Sequence, residues 1–471
     1  MEKIIYLNYY FVKTFAILEW MYFAKCKGLV KMNDYLKKVT GNSVWMIVSK
    51  IINIIIGLTV SVCVTRYLGT EQRGEMANAQ AISSFWGFIA SLGLLDIIIS
   101  RFSLEKNKSA TVAATAMTMM LASGIIAFSL TIVSAIILRV EINVLVYTVI
   151  YALVHIFQSL TVYEYWFYSN SNSKYYAITQ SIVHVLFLLI SFIGVPLKAN
   201  LVYFVIVAAL ETIVTYLSLI YCYKISKCEF IGKFTFDKKI ASELLKLSLP
   251  MIAMGFATTI YMKIDQIMVG NMIGSSELGL YSVAVSLAEY WYFIPAIIYS
   301  SYLPIITEVY TSVDDFKKRL QQFADIMTLV GYVAVVGVMI FGHWGVTFLY
   351  GAEFEGTAYI LMIYIWSGVF TCISYSGQAF YIIHKDTKTV MWINLIGATL
   401  NFTLNIILIK TNGSIGAAVA TLLQYMIVCF GQMVVLRKKY GELYKIQLKS
   451  LFPFIRLWRA CKLVIQKERR E

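Results

Sequence analysis

The sequence predicts an all-α integral membrane protein with twelve transmembrane helices in two six-helix halves. Three observations carry that prediction. Hydrophobic residues make up 59% of the 471 positions and charged residues only 14%, with a mean hydropathy of +0.72. A soluble chain of this length needs far more polar surface. Apolar runs of about 20 residues, the length that crosses a bilayer, recur from residue 44 to residue 436. A short glycine motif repeats in both halves at a constant offset of 205 residues.

The elements follow in chain order. The first 31 residues are interrupted by Lys3, Lys13, Glu19 and Lys25 and lack a small-residue cleavage site, so neither a span nor a cleavable leader is expected there. Two readings stay open for residues 1–43: an interfacial aromatic segment on the cytoplasmic side, or translation from Met32 with a short basic leader. Spans are predicted near 44–67, 77–100, 110–138, 144–168, 176–195 and 201–222, forming a first bundle over 44–222. A basic cytoplasmic connector covers 223–246. The second bundle, 247–436, holds spans near 247–270, 279–306, 323–350, 357–383, 389–409 and 415–436. From 437 to 471 apolar and basic residues alternate, as in LFPFIRLWRACKLVIQK, which predicts an amphipathic cytoplasmic helix lying on anionic inner-leaflet lipid.

Lysine and arginine set the orientation. The even-numbered loops carry fifteen and the odd-numbered loops five, and both terminal segments are basic, so both termini are expected to be cytoplasmic. The net charge of +14 is thereby read as topology and lipid contact rather than nucleic-acid binding. Seven scattered cysteines show neither C-x-x-C nor metal-ligand spacing, so no disulfide framework and no metal site are expected.

The repeated motif is Leu68-Gly69-Thr70-Glu71-Gln72-Arg73-Gly74 after span 1 and Ile273-Gly274-Ser275-Ser276-Glu277-Leu278-Gly279 after span 7. Glycine suits tight interhelical turns because it tolerates positive φ. The match supports a duplicated six-span unit, a common transporter plan.

These turns also carry a family resemblance. RYLGTEQRGEMANAQA resembles the signature after the first span of polysaccharide repeat-unit flippases, which share a superfamily with multidrug and toxin extrusion (MATE) transporters and lipid II flippases. KLSLPMIAMGFATTIYMKIDQIMVGNMIGSSELGLYSVAVSL is similar to the family's seventh-span block, NLIGATLNFTLNIILIKTNGSIGAAVAT (394–421) to a later block, and LYGAEFEGTA (349–358) to its turn between spans 9 and 10. The chain departs from the family at Thr70, where proline is usual, and in its N-terminal 31 residues, which have no counterpart. The resemblance implies two pseudo-symmetric six-helix bundles around a central cavity, a MATE-like fold working by alternating access. It implies a cargo of oligosaccharide on undecaprenyl diphosphate moved to the outer leaflet of a bacterial cytoplasmic membrane. O-antigen, capsule or exopolysaccharide assembly would follow, with polysaccharide polymerase machinery as a partner.

Charged side chains inside spans cost roughly 2.5–3.5 kcal/mol or more on insertion scales, so each asks for a role. Lys263 and Asp265 lie about 200° apart around one helix. Thr259, Lys263 and Gln266 share one stripe, and Thr258, Tyr261 and Asp265 another, so one stripe would face the cavity and the other a neighbouring helix. Lys263, Lys50, Arg66 and Arg101 are candidates for an anionic cargo's path, although snorkelling suits Lys50 equally and interfacial anchoring at the span ends is the stronger reading of the two arginines. Asp265, Glu211, Glu289 and Asp96 are candidates for cavity lining or for H+ or Na+ coupling. His155 and His184 read as packing residues. The aromatics of VYEYWFY (162–168) and EYWYF (289–293) read mainly as core or interfacial side chains, with sugar stacking as the alternative.

No cofactor is expected, and no G-x-x-x-x-G-K-[ST] motor motif is present. No nucleophile–base constellation stands out, so enzyme activity is not expected. A MATE-type cation-coupled drug antiporter is the competing reading; it would favour acidic cavity residues over embedded lysines. A lipid II flippase would carry two further C-terminal spans. A membrane glycosyltransferase or polymerase would carry a large soluble loop.

Overall fold

The structure is a computed structural model that describes residues 34–170, 173–226, 229–435, 437–454 and 456; the side chains of 34–55 are outside that description. Met32, residues 1–33, the Lys50 side chain and the tail beyond residue 456 therefore lie outside the described residues.

In the first half, α1 (Asp34–Phe85) is followed by α2 (Gly87–Ser91), α3 (Leu95–Leu104), α4 (Ser109–Ile137), α5 (Ile142–Ala152), α6 (Val154–Phe157), α7 (Thr161–Ser169), α8 (Ser173–Gly194) and α9 (Leu201–Ser226). The second half comprises α10 (Lys238–Met272), α11 (Ser275–Tyr290), α12 (Phe293–Glu308), α13 (Val313–Tyr350), α14 (Glu355–Tyr364), α15 (Ser367–Ile383), α16 (Thr387–Val435) and α17 (Arg437–Ser450). Among the described residues ten helical stretches are long and apolar enough to span, against twelve expected. The difference lies in two stretches of 49 and 48 residues, Ile56–Leu104 and Lys388–Val435, each double the length of a span. Both contain a glycine outside helical geometry, Gly69 at φ 74° and Gly413 at φ 59°, where the chain folds back. A Cβ on Gly416 would sit 1.9 Å from the Leu408 carbonyl, a proximity that a straight helix forbids over eight residues.

The duplicated motif has a direct structural consequence. A Cβ on Gly74 would lie 1.7 Å from the Ser275 carbonyl oxygen, and one on Gly279 would lie 2.0 Å from the Thr70 carbonyl oxygen. The two turns therefore pack backbone to backbone in a reciprocal pair, joining the halves at the glycine-turn end. Glu353, from the turn after α13, accepts from the Thr70 amide at 2.8 Å and its hydroxyl at 2.9 Å. Two apolar clusters centre on one half each, Leu94, Ile98, Phe102 and Met120 in the first and Tyr281, Val283, Phe354 and Ile360 in the second, and each takes in residues beyond it, Ile240 and Leu244 of α10 in the former and Ala77 of α1 in the latter. Large apolar residues such as Ile126, Ile136, Ile340 and Trp344 stay exposed, as a lipid-facing surface requires. Cys63, Cys222, Cys372 and Cys429 are free thiols.

The connector is not a loose loop. Residues 229–237 run in extended form along the start of α4, where Ile231 donates its amide to Ser109 Oγ (2.8 Å) and its carbonyl accepts from Ala110 (3.1 Å). Asp237 then caps α10 by accepting from the amides of Lys239 and Ile240. The C-terminal segment also differs from a helix resting only on lipid. Leu443, Ile446, Gln447 and Ser450 of α17 are buried. Arg456 grips the 3%-exposed Asp325 of α13 through two bonds of 2.8 and 2.7 Å. Its apolar stripe covers protein, because α13 and α15 offer a matching apolar face around Phe316, Leu320 and Phe380.

Asp386, in the turn before α16, holds the start of α17: it accepts from Lys439 Nζ at 2.8 Å and from the Tyr440 hydroxyl, and from Thr389 Oγ1 at 2.8 Å. The Lys439 ammonium, then Tyr440 and Thr389, hold its carboxyl below the usual carboxylate range. A depressed pKa contributes stability that is complete above the unfolded value of about 4 and is lost as pH falls through the folded value. The protection of amides 437–450, taken relative to the unstructured exchange rate at each pH, is thus expected to stay constant from neutral pH to about pH 4 and to fall below it. Asp386→Asn is expected to lower that protection at pH 7.

Candidate functional site: a charged cavity between the halves

A cavity of about 290 Å³ lies between the halves, walled by both arms of α1, by α8 and α9, and by Ser286 and Tyr290 of α11. Gly69 creates it locally. Because the chain turns there, the arm starting at Thr70 presents Arg73 inward one turn later, beside Met76 and Gln80. Arg73 Nε is buried with no hydrogen-bond partner, and Tyr151, Tyr350 and Tyr290 lie within electrostatic reach of the guanidinium. The Tyr151 hydroxyl is buried and unpartnered too. Buried polar groups normally find partners, so this pair of donors is set to receive an anion or an ordered water. On the opposite wall His184 Nδ1 and Glu211 Oε1 are in hydrogen-bonding contact. The cavity thus combines a buried guanidinium with a hydrogen-bonded histidine–glutamate pair.

The other sequence candidates divide clearly. Asp265, 2% exposed, turns to α11, where it accepts from the Tyr281 hydroxyl at 2.5 Å; within α10 it also accepts from the Gln266 amide at 2.7 Å. Asp265 itself thus braces a neighbouring helix, whereas Thr258, on the same stripe, lines a cavity of the second half. Lys263 is half-buried, and Glu289, beside the cavity-lining Tyr290, is within electrostatic reach of both Lys263 and Asp265. Arg101 is tied to Glu105 (3.3 Å) and to Glu243 of α10 (2.5 Å), a clamp between the first half and the helix that follows the connector. Arg66 is exposed near the end of the first arm of α1. Asp96, expected in mid-span, is exposed in the first turn of α3, because the arm breaks at Leu92–Leu94; a carboxylate suits that helix end. His155 packs, its Nε2 contacting the Ser83 carbonyl at 2.9 Å. Of the aromatic runs, Tyr165, Trp166 and Phe167 are core, while Tyr290 lines the cavity.

Arg73 is the residue that sequence reasoning missed, having been assigned to a loop. The signal was present in the repeat: 205 positions on stands Leu278, fully buried, where the first half has an arginine.

A second cavity, of about 380 Å³, lies within the second half between α10, α15 and α16, and no charged side chain among the described residues lines it.

The family described as polysaccharide biosynthesis protein matches residues 39–310, more than half of the chain. The chain belongs to that family. A second family, MatE, matches 250–407. Lipid II flippase MurJ of Bacillus subtilis (strain 168) is 25% identical over 230 residues, 45% of this chain; the chain spans 42% of the length of that curated relative. Among solved structures, lipid II flippase MurJ in an inward closed conformation superposes with a TM-score of 0.64 at 18% identity, over 88% of this chain and 91% of that one. An inward-facing MATE family multidrug resistance transporter of the MOP superfamily gives 0.66 at 13% identity, over 83% and 96%. This member of the polysaccharide biosynthesis protein family therefore shares the all-α fold of those MurJ and MATE structures. The relatives are named as flippases and transporters rather than enzymes, in line with the sequence expectation.

Proposed function

We propose that the chain is a flippase that carries oligosaccharide on undecaprenyl diphosphate from the inner to the outer leaflet of a bacterial cytoplasmic membrane, for surface polysaccharide assembly. Arg73 carries the reading: a guanidinium within the span region, its Nε buried and unpartnered, facing a cavity between two duplicated halves. An uncompensated cation at that depth is costly, and a diphosphate passing between the halves offsets the cost at the moment of transport. His184–Glu211 is the proposed site of H+ or Na+ coupling, and Glu289 with Lys263, within electrostatic reach of each other, is a second charged group in the other half. Both termini would face the cytoplasm, with α17 close to anionic lipid and to the polymerase machinery.

The test is the sidedness of the lipid-linked oligosaccharide in a strain lacking the gene. Inner-leaflet accumulation, relieved by the wild-type chain, is the expected result. The MatE match over 250–407 favours one second reading, a cation-coupled drug antiporter. Normal outer-leaflet delivery together with new sensitivity to cationic drugs would decide for it.

A further inference from the structure

We infer that the second cavity, between α10, α15 and α16, is a subsite for the uncharged hydroxyl and amide groups of the glycan, separate from the Arg73 cavity. The inference rests on the flippase reading above and assigns the sugar portion of the cargo to the second half. At about 380 Å³ the cavity falls in the range of small-molecule sites, roughly 300–1,000 Å³.

Its lining is neutral and bifunctional. Gln378, Asn394 and Gln424 supply amides, Thr258 a hydroxyl, and Tyr375 and Tyr425 ring faces with polar tips. An amide offers two donors and an acceptor with two lone pairs, which matches a hydroxyl that both gives and takes a proton. Tyrosine covers the apolar C–H face of a sugar with its ring. A cationic drug would find no carboxylate in this wall, and a diphosphate would find no cation. Asp265, three positions after the lining residue Met262, is directed to Tyr281 and to the Gln266 amide instead.

Gln424 gives the second, independent sign. It is 1% exposed, and its Oε1 is buried with no hydrogen-bond partner, on the wall of the cavity. A buried amide oxygen left in this state is unfavourable, and a ligand hydroxyl donating to it removes the penalty. The residue is thus an acceptor held in readiness in a chamber otherwise suited to sugar.

The test uses the full chain in detergent and two probes: bare undecaprenyl diphosphate, and glycan-bearing undecaprenyl diphosphate extracted from cells that express the chain. Wild type is expected to bind the glycan-bearing probe about tenfold more tightly, the effect of about one additional hydrogen bond. Gln424→Leu is expected to remove that advantage and leave the affinity for the bare diphosphate unchanged. Asn394→Leu, on the exposed part of the wall, repeats the test without disturbing a buried position. Equal wild-type affinity for the two probes, or an advantage that survives both substitutions, overturns the subsite and leaves the flippase reading intact. Failure of wild type to bind either diphosphate overturns that reading and the subsite with it.

Discussion

Arg73→Gln is expected to slow delivery of the lipid-linked glycan to the outer leaflet by about 10- to 150-fold, the loss of one charge-assisted hydrogen bond of about 1.5–3 kcal/mol. The argument begins at Gly69, whose positive φ turns the chain and puts Arg73 on the cavity wall. Its Nε is buried with no hydrogen-bond partner on the protein, so the interaction it awaits is with something that enters. Removing an unpaired buried donor relieves a desolvation cost rather than breaking an internal pair. The variant is therefore expected to be at least as heat-stable as wild type, which separates a transport role from a structural one. Arg73→Lys keeps the charge and loses the planar fork, so an intermediate rate is expected. Initial rates in proteoliposomes decide the matter: a rate for Arg73→Gln within twofold of wild type, in well-folded protein, would sink the role assigned here.

That residue also shows how far the sequence could be read. Span length and composition made the helical class legible, because both answer to the bilayer alone. The duplication of the halves was legible from Gly69/Gly74 and Gly274/Gly279, whereas the packing of the two turns on each other was not, since a turn glycine does not specify what approaches it. What a hydropathy reading misses is a polar residue just past a turn. Arg73, four positions after Gly69, counted as a loop cation, and only folding back through the glycine returns it to the interior. Asp96 fails in the opposite sense: its run reads as continuous, yet the break at Leu92 and Gly93, both at positive φ, puts it at an exposed helix start. Asp265 was legible as a choice between two stripes and not as an answer. Its partner, Tyr281, lies on the next helix, and no periodicity within α10 specifies that contact. The docking of α17 was hidden for a related reason, since an apolar stripe records that a face is covered and not what covers it.

Gly279→Ala and Gly74→Ala are expected to drive the glycine-turn ends of the halves apart, changing the ratio of closed to open forms by about 5- to 150-fold. In the closed arrangement the new methyl groups would meet backbone carbonyls, of Thr70 at 2.0 Å and Ser275 at 1.7 Å, and no rotamer change moves a carbonyl away. Overpacking of this kind costs about 1–3 kcal/mol. Only the arrangement with these ends in contact bears that cost, so an arrangement with the ends apart gains by the same amount. Spin labels at the exposed positions Glu71 and Ser276 would report the change as a second, longer distance in the variants, absent or minor in wild type. Gly337→Ala in α13 is the control, because a Cβ there meets nothing within 4 Å. The Glu353 bonds to Thr70 bind the same turn from a third direction. Glu353→Ala, which removes them without adding bulk, should shift the distances the same way by a smaller amount. An unchanged distance distribution in folded Gly279→Ala protein would mean that the contact yields locally, and that the reciprocal glycine pair does not govern opening at this end.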